Sequence, residues 1–377
     1  MKVIPKNSRI VILAILLTSF LAGSNSVAST WWETIKLKGD LRYRHEMIDR
    51  EGKNKRNRQR IRVRIGLSAD VSAYSKVSVQ LASGSDDPVS TNQTCDDAGS
   101  TKPIGLDLAY FRTSHGCLPG FQLIAGKMKN PFFKPGKSEL IWDSDWNPEG
   151  GAATFAKESG TFDLTLIGAG FWIDERSSSD ESYLAAGQAV GRLHFNERKS
   201  SVALGGSIFN YVNTQGYEPF YDHEDPMGNS TVPFVDDGDT VLHYANDYEL
   251  LELFGEVTHK FNSTPVTVMW DYVTNIAADS LNAGWLFGVR VGKTKKSGSW
   301  QFQYLYKQVE QDAVIGVLTD SDFIGGGTDG KGHEIGGAVQ LATNTSLQFT
   351  YFINKIGINA ASPVDFNRLQ ADVQLKF

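Results

Sequence analysis

Long hydrophobic runs are what this sequence most clearly lacks. A membrane-spanning helix needs roughly 18 or more consecutive apolar residues, and no part of the 377-residue chain provides them. The mainly apolar segment 10–22 is too short, and it lies between a basic start (Lys2, Lys6, Arg9) and the small residues 26–28. This order is typical of a secretory signal that is removed after export. We therefore predict a signal peptide over residues 1–28 and a single domain over residues 29–377.

Cysteine is scarce as well. The chain has two, Cys95 and Cys117, which could form a disulfide in an exported protein. The strand order derived below places one strand between them, with Cys95 in a long loop and Cys117 at the opposite rim. Such a separation exceeds the roughly 7 Å between Cα atoms that a disulfide tolerates. We predict that no bond joins them.

Apolar and charged side chains alternate through residues 35–71. In the second half, Ile61, Val63 and Ile65 alternate with arginines, and this period of two predicts extended strands rather than a helix. The charged positions are Lys36, Lys38, Asp40, Arg42, Arg44, Glu46, Arg60, Arg62 and Arg64.

The charged face of this hairpin is unusual. If residues 48–57 form the turn, Arg44 comes near Arg62 and Arg42 near Arg64, and like charges directly opposite each other repel. Such a face is tolerable in water with counter-charges nearby, while the apolar face is suited to lipid. An exported membrane protein without spanning helices must be a closed barrel, so the pattern predicts the wall of a transmembrane barrel with a wet lumen.

The same alternation recurs to the end of the chain, with short polar turns between some strands and long polar loops between others. Aromatic residues at Trp300, Phe302, Tyr304 and Tyr306 share one face, as expected at the membrane interfaces. We predict an all-β fold, a transmembrane antiparallel β-barrel of about 16 strands, which is large enough for an aqueous channel. From the sixth strand onward the predicted strands cover residues 151–157, 161–173, 183–195, 200–211, 248–261, 265–274, 284–293, 299–310, 332–342, 346–353 and 368–377.

Several segments together resemble the putative porin family of Gram-negative outer-membrane proteins. The segments are GDLRYR at 39–44, RQRIRVR at 58–64, GKMKNPF at 126–132 and LIWDSDWNPEG at 140–150. The last strand ends on Phe377, which resembles the signal that the barrel assembly machinery reads. The resemblance implies localisation in the outer membrane and a passive channel for ions and small hydrophilic solutes. It also implies contact with lipid and lipopolysaccharide and a possible homotrimer.

The resemblance further implies that the third extracellular loop, residues 129–149, folds into the barrel. This loop carries four carboxylates: Glu139, Asp143, Asp145 and Glu149. We predict that they face a basic wall formed by Arg42, Arg44, Arg60, Arg62 and Arg64, which makes a pore constriction with charges of both signs. The alternative is a solvated acidic loop on the outer rim. The arginine wall favours mild anion preference, although the acidic loop and the net charge of -6 oppose it.

Other functional classes are less well supported. A barrel hydrolase, such as a lipase or protease, could use residues of the fifth loop: Asp222, His223, Glu224, Asp225 and His243. A catalytic base must be held by an orienting partner, and these residues show no fixed spacing that indicates such a pair. A plugged adhesin or structural barrel is a further alternative. The interleaved apolar residues argue against a nucleic-acid site at 56–64, and acidic runs at 236–239 and 320–322 lack the spacing of a calcium loop. We predict no enzyme activity, cofactor or metal.

Overall fold

The computed structural model describes residues 31–236 and 239–377. The predicted signal peptide, residues 1–28, lies outside the described residues, as do residues 237 and 238 of the acidic run 236–239. Within the described part, no helix is both long enough and apolar enough to cross a membrane.

Antiparallel strands account for most of the described chain. They are β1 Lys36–Arg50, β2 Arg56–Asp70, β3 Ser75–Ser83, β4 Gln93–Thr94, β5 Ile104–Ser114, β6 Phe121–Lys127, β7 Glu149–Glu158, β8 Phe162–Asp174, β9 Ser182–Phe195, β10 Ser200–Val212, β11 Thr231–Asp236, β12 Asp239–Tyr244, β13 Tyr248–Phe261, β14 Thr264–Asn275, β15 Ala283–Gly292, β16 Trp300–Val309, β17 Gly330–Ala342, β18 Thr345–Ile356 and β19 Val364–Lys376. Short 3-10 turns lie at Trp31–Thr34, Asp97–Gly99, Pro135–Lys137 and Gly316–Leu318.

Sixteen of these strands form one closed antiparallel barrel, which confirms the predicted fold. The wall consists of β1–β3, β5–β10 and β13–β19, each paired with the next wall strand along the chain. The ring is closed by β1 and β19, in a register that runs from Asp40 opposite Lys376 to Arg50 opposite Phe366. Closure leaves no free sheet edge, as a membrane-spanning sheet requires.

The seam between the first and last strands extends to the final residue. The backbone groups of Gly39 and Phe377 exchange two hydrogen bonds, each 3.0 Å long. A Cβ atom at position 39 would overlap the Phe377 ring and the Arg64 carbonyl oxygen. Glycine at this position therefore leaves room for the terminal aromatic ring beside the seam.

The two faces of the wall have the reverse of the polarity found in a water-soluble sheet. On β1, Leu41 and Tyr43 are 44% and 47% exposed, whereas Arg44 and Glu46 are 4% and 0% exposed. Charged side chains are almost never buried in proteins unless they are paired. The outer surface is thus the apolar one, and it suits lipid, while the ionic groups lie inside the ring.

The long loops lie at one end of the barrel, as predicted, and loop 1 is the short exception at that end. The eight segments at the long-loop end are loop 1 (51–55), loop 2 (84–103), loop 3 (128–148), loop 4 (175–181), loop 5 (213–247), loop 6 (276–282), loop 7 (310–329) and loop 8 (357–363). Cys95 lies in loop 2, Cys117 lies in a turn at the other end, and both thiols are free.

The predicted turn of the first hairpin was too long and its register was wrong. The two strands continue to Arg50 and resume at Arg56, so Arg42 lies opposite Arg62 and Arg44 opposite Arg60. The error is two residues, which keeps every side chain on its predicted face because the period of a strand is two.

Smaller elements in the loops had no sequence prediction. The short strand β4 within loop 2 pairs with β2, placing Thr94 opposite Arg60. In loop 5, β11 and β12 form a separate hairpin.

Apolar side chains from loops 3 and 7 pack together with the inner face of the wall. Trp142 of loop 3 lies 4.5 Å, centroid to centroid, from Phe209 on β10. Val314 and Ile315 of loop 7 belong to the same cluster and are 0% and 1% exposed. Residues of both loops and of the wall thus share one buried apolar cluster.

Candidate functional site

The arginines predicted to form a basic wall all point to the inner face of β1 and β2, because they share one parity. Most of them bind carboxylates on neighbouring strands. Asp40 accepts hydrogen bonds from Arg62 and Arg64, each at 2.8 Å. Asp372 on β19 accepts two hydrogen bonds from Arg44, at 2.7 and 2.9 Å. The repulsion expected of an arginine ladder is therefore relieved mainly within the wall itself.

One of the predicted loop 3 carboxylates reaches this wall. Asp145 Oδ1 lies 3.4 Å from Arg64 Nη1, and Oδ2 accepts a hydrogen bond from Thr91 of loop 2 at 3.0 Å. Burial alone would raise the pKa of Asp145, but the nearby charges of Arg62 and Arg64 outweigh it and lower the pKa. Asp145 therefore stays ionised at all moderate pH values.

The other three predicted carboxylates have different partners. Glu149 is exposed at the start of β7 and binds Lys127 at 2.8 Å. Glu139 accepts a hydrogen bond from the backbone of Ser144, and Asp143 accepts one from the backbone of Ser321 in loop 7. None of these contacts involves an arginine of the basic wall.

Glu139 and Asp143 instead cluster with Asp320 of loop 7. Their carboxylate oxygens lie within 4.8 Å of one another, so these groups could hold a cation. Lys307 on β16 already supplies a positive charge, with Nζ 2.6 Å from Asp320. Burial and the neighbouring carboxylate charges raise the pKa of Glu139 to about 7 and also raise the pKa of Asp143.

A carboxylate that the sequence analysis did not assign to the wall lies in loop 7. Asp322 accepts hydrogen bonds from Arg44 at 3.1 Å and from Arg368 of β19 at 2.8 Å. Burial alone would raise its pKa, but the two guanidinium groups lower it well below its ordinary value. Asp322 was singled out in the sequence only as part of an acidic loop run. Nothing in the local sequence indicated its distant partners.

Loop 3 has hydrogen-bonding partners around much of the ring. At Gly136 its backbone N–H donates to Glu256 of β13 at 2.9 Å, and its carbonyl accepts a bond from Arg290 of β15. Gly136 has a φ of +56°, a region that favours glycine, and a Cβ atom there would overlap Met269. Further wall partners along the loop are Asp107, Gln188, Tyr211, Asp271 and Lys307.

The two histidines considered for a hydrolase have separate surroundings. His223 is exposed and lies 3.0 Å from Glu218, while His243 on β12 stacks on Phe234 with 4.4 Å between ring centroids. Neither contact supplies a nucleophile.

Comparison with solved structures finds the same fold in outer-membrane proteins. OprB of Pseudomonas putida has a TM-score of 0.58 at 10% identity, covering 94% of this chain and 100% of that one. OmpF of Salmonella typhi, solved with daunomycin, has a TM-score of 0.54 at 11% identity, covering 91% and 97%. A loop-deletion mutant of OmpT from Vibrio cholerae has a TM-score of 0.51 at 10% identity, covering 91% and 100%.

Comparison with curated proteins finds no match. A family model described as "putative porin" matches residues 47–249 and 222–377, which together take in most of the chain. The description of this family is that of a channel protein. This chain belongs to the putative porin family and is an outer-membrane β-barrel protein.

Proposed function

We propose that the protein is a passive pore for ions and small hydrophilic solutes, narrowed where loop 3 crosses the lumen. The observation that supports this is a pair of contacts made by loop 3, one near its middle and one near its end. Asp145 contacts Arg64 on β2, whereas Gly136 contacts Glu256 on β13. In the ring of wall strands β2 and β13 are diametrically opposed, and contacts of one loop with both strands support a path of that loop across the interior.

The proposed constriction has charges of both signs. Arg42, Arg44, Arg60, Arg62 and Arg64 form its basic side, and Asp145 is the predicted acidic residue that comes closest to them. Loop 7 adds Asp322 to the acidic side through Arg44 and Arg368. Fixed charges of opposite sign in a narrow wet pore set ion preference and orient dipolar solutes. Of the other predicted carboxylates, Glu139 and Asp143 lie where loops 3 and 7 meet, and Glu149 lies at the rim.

Liposome swelling tests this function directly. Purified barrel in liposomes should admit small neutral sugars, and the rate should fall steeply as the sugar becomes larger. Replacing residues 133–146 by a short Gly-Ser linker should admit larger sugars, whereas a similar replacement of loop 4 should leave the size limit unchanged. If the wild-type barrel admits no sugar, it is a plugged structural or adhesive barrel. If the loop 3 variant keeps the wild-type limit, loop 3 does not form the constriction.

The remaining proposals concern the surroundings of the barrel. We propose Phe377 as the signal for barrel assembly, which its place at the β1–β19 seam supports. Contact with lipopolysaccharide and a homotrimeric state stay predictions, and cross-linking of the protein in native outer membranes would test the latter.

A further inference from the structure

Arg60 differs from the other four arginines of the basic wall, and from the nearby Arg58 and Arg368, in its charge partners. Among the described residues, Arg42, Arg44, Arg58, Arg62, Arg64 and Arg368 each have a carboxylate oxygen within 4 Å. No such partner lies within that distance of Arg60 in the described part of the chain. Its Nη2 makes two long contacts, 3.5 Å to Ser90 Oγ and 3.4 Å to the Asn92 carbonyl oxygen.

The Nε atom of Arg60 is buried and has no hydrogen-bond acceptor in the protein. A buried donor without an acceptor is costly, and the cost is greater for a charged group. The β1–β2 register places Arg60 opposite Arg44, whose guanidinium is already bound to Asp372 and Asp322. The neighbouring strand therefore adds positive charge at this point and supplies no free carboxylate.

Arg60 lines a cavity of about 230 Å³ between the wall and loops 2, 5 and 7. Arg58 and Arg368 line the same cavity, together with the hydroxyl-bearing residues Ser90, Thr319 and Ser321. The Nε atom of Arg368 is also buried without a hydrogen-bond acceptor, although Glu46 lies 3.8 Å from it. One water molecule occupies about 30 Å³ in the liquid, so the cavity has room for a small organic ion.

Two carboxylates line other parts of this cavity, and they limit what it can bind. Asp87 of loop 2 is half-buried, and Asp222 of loop 5 is exposed. Burial raises the pKa of Asp87, and one of its oxygens accepts a hydrogen bond from the backbone of Val89. These two groups would repel a ligand with several negative charges. A ligand with a single carboxylate could direct that group at Arg60, so that only its uncharged end would lie near Asp87 and Asp222.

We propose that this cavity is a binding subsite for small monocarboxylates on their way into the pore, with Arg60 as the residue that binds the carboxylate group. A guanidinium suits this role because its fork of N–H donors matches the two oxygens of a carboxylate. The proposal rests on the proposed channel function for the direction of transport, but the binding itself requires no conduction.

Sodium lactate is a suitable probe, used in two measurements. In planar bilayers at low salt, lactate added on the long-loop side should reduce the single-channel KCl current saturably. Calorimetry on the detergent-solubilised barrel should detect the same binding without conduction. In Arg60→Gln the half-blocking concentration and the dissociation constant should both rise about tenfold, the effect of losing one charge-assisted interaction.

Arg56→Gln is the matched control, because it makes the same change on the same strand at the exposed first residue of β2. It should leave both constants within about twofold of the wild-type values. Arg60→Lys keeps the charge but loses the fork, and it should give an intermediate affinity with a normal circular dichroism spectrum. Equal lactate affinity in Arg60→Gln and wild type, or no lactate binding to the wild-type barrel, would overturn the subsite. Binding without any channel current would instead count against the channel function alone.

Discussion

Asp145 of loop 3 and Arg64 of β2 face each other across 3.4 Å, and this contact joins the acidic loop to the basic wall. It is the direct contact between the predicted loop 3 carboxylates and the predicted basic wall. Asp145 is also the predicted loop carboxylate whose pKa the wall arginines lower. The first prediction therefore concerns its charge.

Asp145→Asn should make the channel more anion-selective, because it removes the loop 3 carboxylate that contacts Arg64. The measurement is the reversal potential across a planar bilayer in a KCl gradient. The shift should persist to a lower pH than the titration of an ordinary aspartate would allow, because the wall arginines lower the pKa of the wild-type carboxylate. Glu149→Gln, which removes a carboxylate paired with Lys127 at the exposed rim, is the control and should shift the potential much less. An equal shift in both variants would place Asp145 outside the selective region.

Asp322→Asn should loosen loop 7, because Arg44 and Arg368 would both lose a charged acceptor. Local opening of the loop should become easier by about 2 kcal/mol, between the values for exposed and buried ion pairs. Hydrogen exchange of the backbone amides at 316–323 should report this as faster exchange, while wall strands keep their protection.

The stabilisation that Asp322 gains from Arg44 and Arg368 should depend on pH, and the sign of that dependence follows from its pKa. The folded pKa of Asp322 is lowered, so its stabilising effect is complete above the ordinary pKa of 3.8 and is lost as the pH falls through the lower folded value. Asp365→Asn, which removes an exposed carboxylate paired with Lys355, is the control. Unchanged exchange in Asp322→Asn would mean that the apolar residues of loop 7 alone hold it in place.

The raised pKa of Glu139 leads us to expect a pH effect of the opposite sign. Its pKa is raised from the ordinary value of 4.5 to about 7, so between these values the folded state binds more protons than the unfolded state. The contact between loops 3 and 7 should therefore weaken as the pH rises through this window, since stability falls wherever the folded state holds the extra proton. Glu139→Gln should remove this loss, and its melting temperature should exceed that of the wild type by more at pH 8 than at pH 5. A difference that does not change with pH would show that Glu139 ionises normally.

The strand pattern could be predicted from the sequence because each wall strand has one lipid face and one wet face. Leu41 and Tyr43 alternate with Arg42 and Arg44 whatever the distant contacts are, and the short turns interrupt the period of two at clear points. The register of the first hairpin was harder, because a polar residue such as Asn57 is compatible with either a turn or a strand end. The pairing of Arg44 with Arg60 followed only from where the turn closes.

The interior contacts could not be predicted in the same way. Asp322 and Arg44 are 278 positions apart in the chain, and no local periodicity relates a loop residue to a wall residue at that distance. The partners of Glu139 and Asp143 depend in turn on the path of loop 7, which brings Asp320 beside them. A pattern of charges indicates that counter-charges are needed, but the folded loops decide which carboxylates provide them.

Barrel closure supplies the last prediction, through the seam glycine Gly39. Gly39→Val should impair assembly, because a side chain there would displace the Phe377 ring and disturb the backbone pairing that closes β1 on β19. The measurement is the fraction of protein recovered folded in the outer membrane, compared with the fraction that is degraded or aggregated. Gly105→Val is the matched control: it also lies in a wall strand, and a Cβ atom there has no neighbour within 4 Å.

Phe377→Ala together with Gly39→Val should separate two causes, since removing the ring relieves the overlap but not the crowding at the Arg64 carbonyl. If Gly39→Val assembles as well as Gly105→Val, the place of the Phe377 ring at the seam does not matter for assembly, and this support for its proposed role as the assembly signal would be lost.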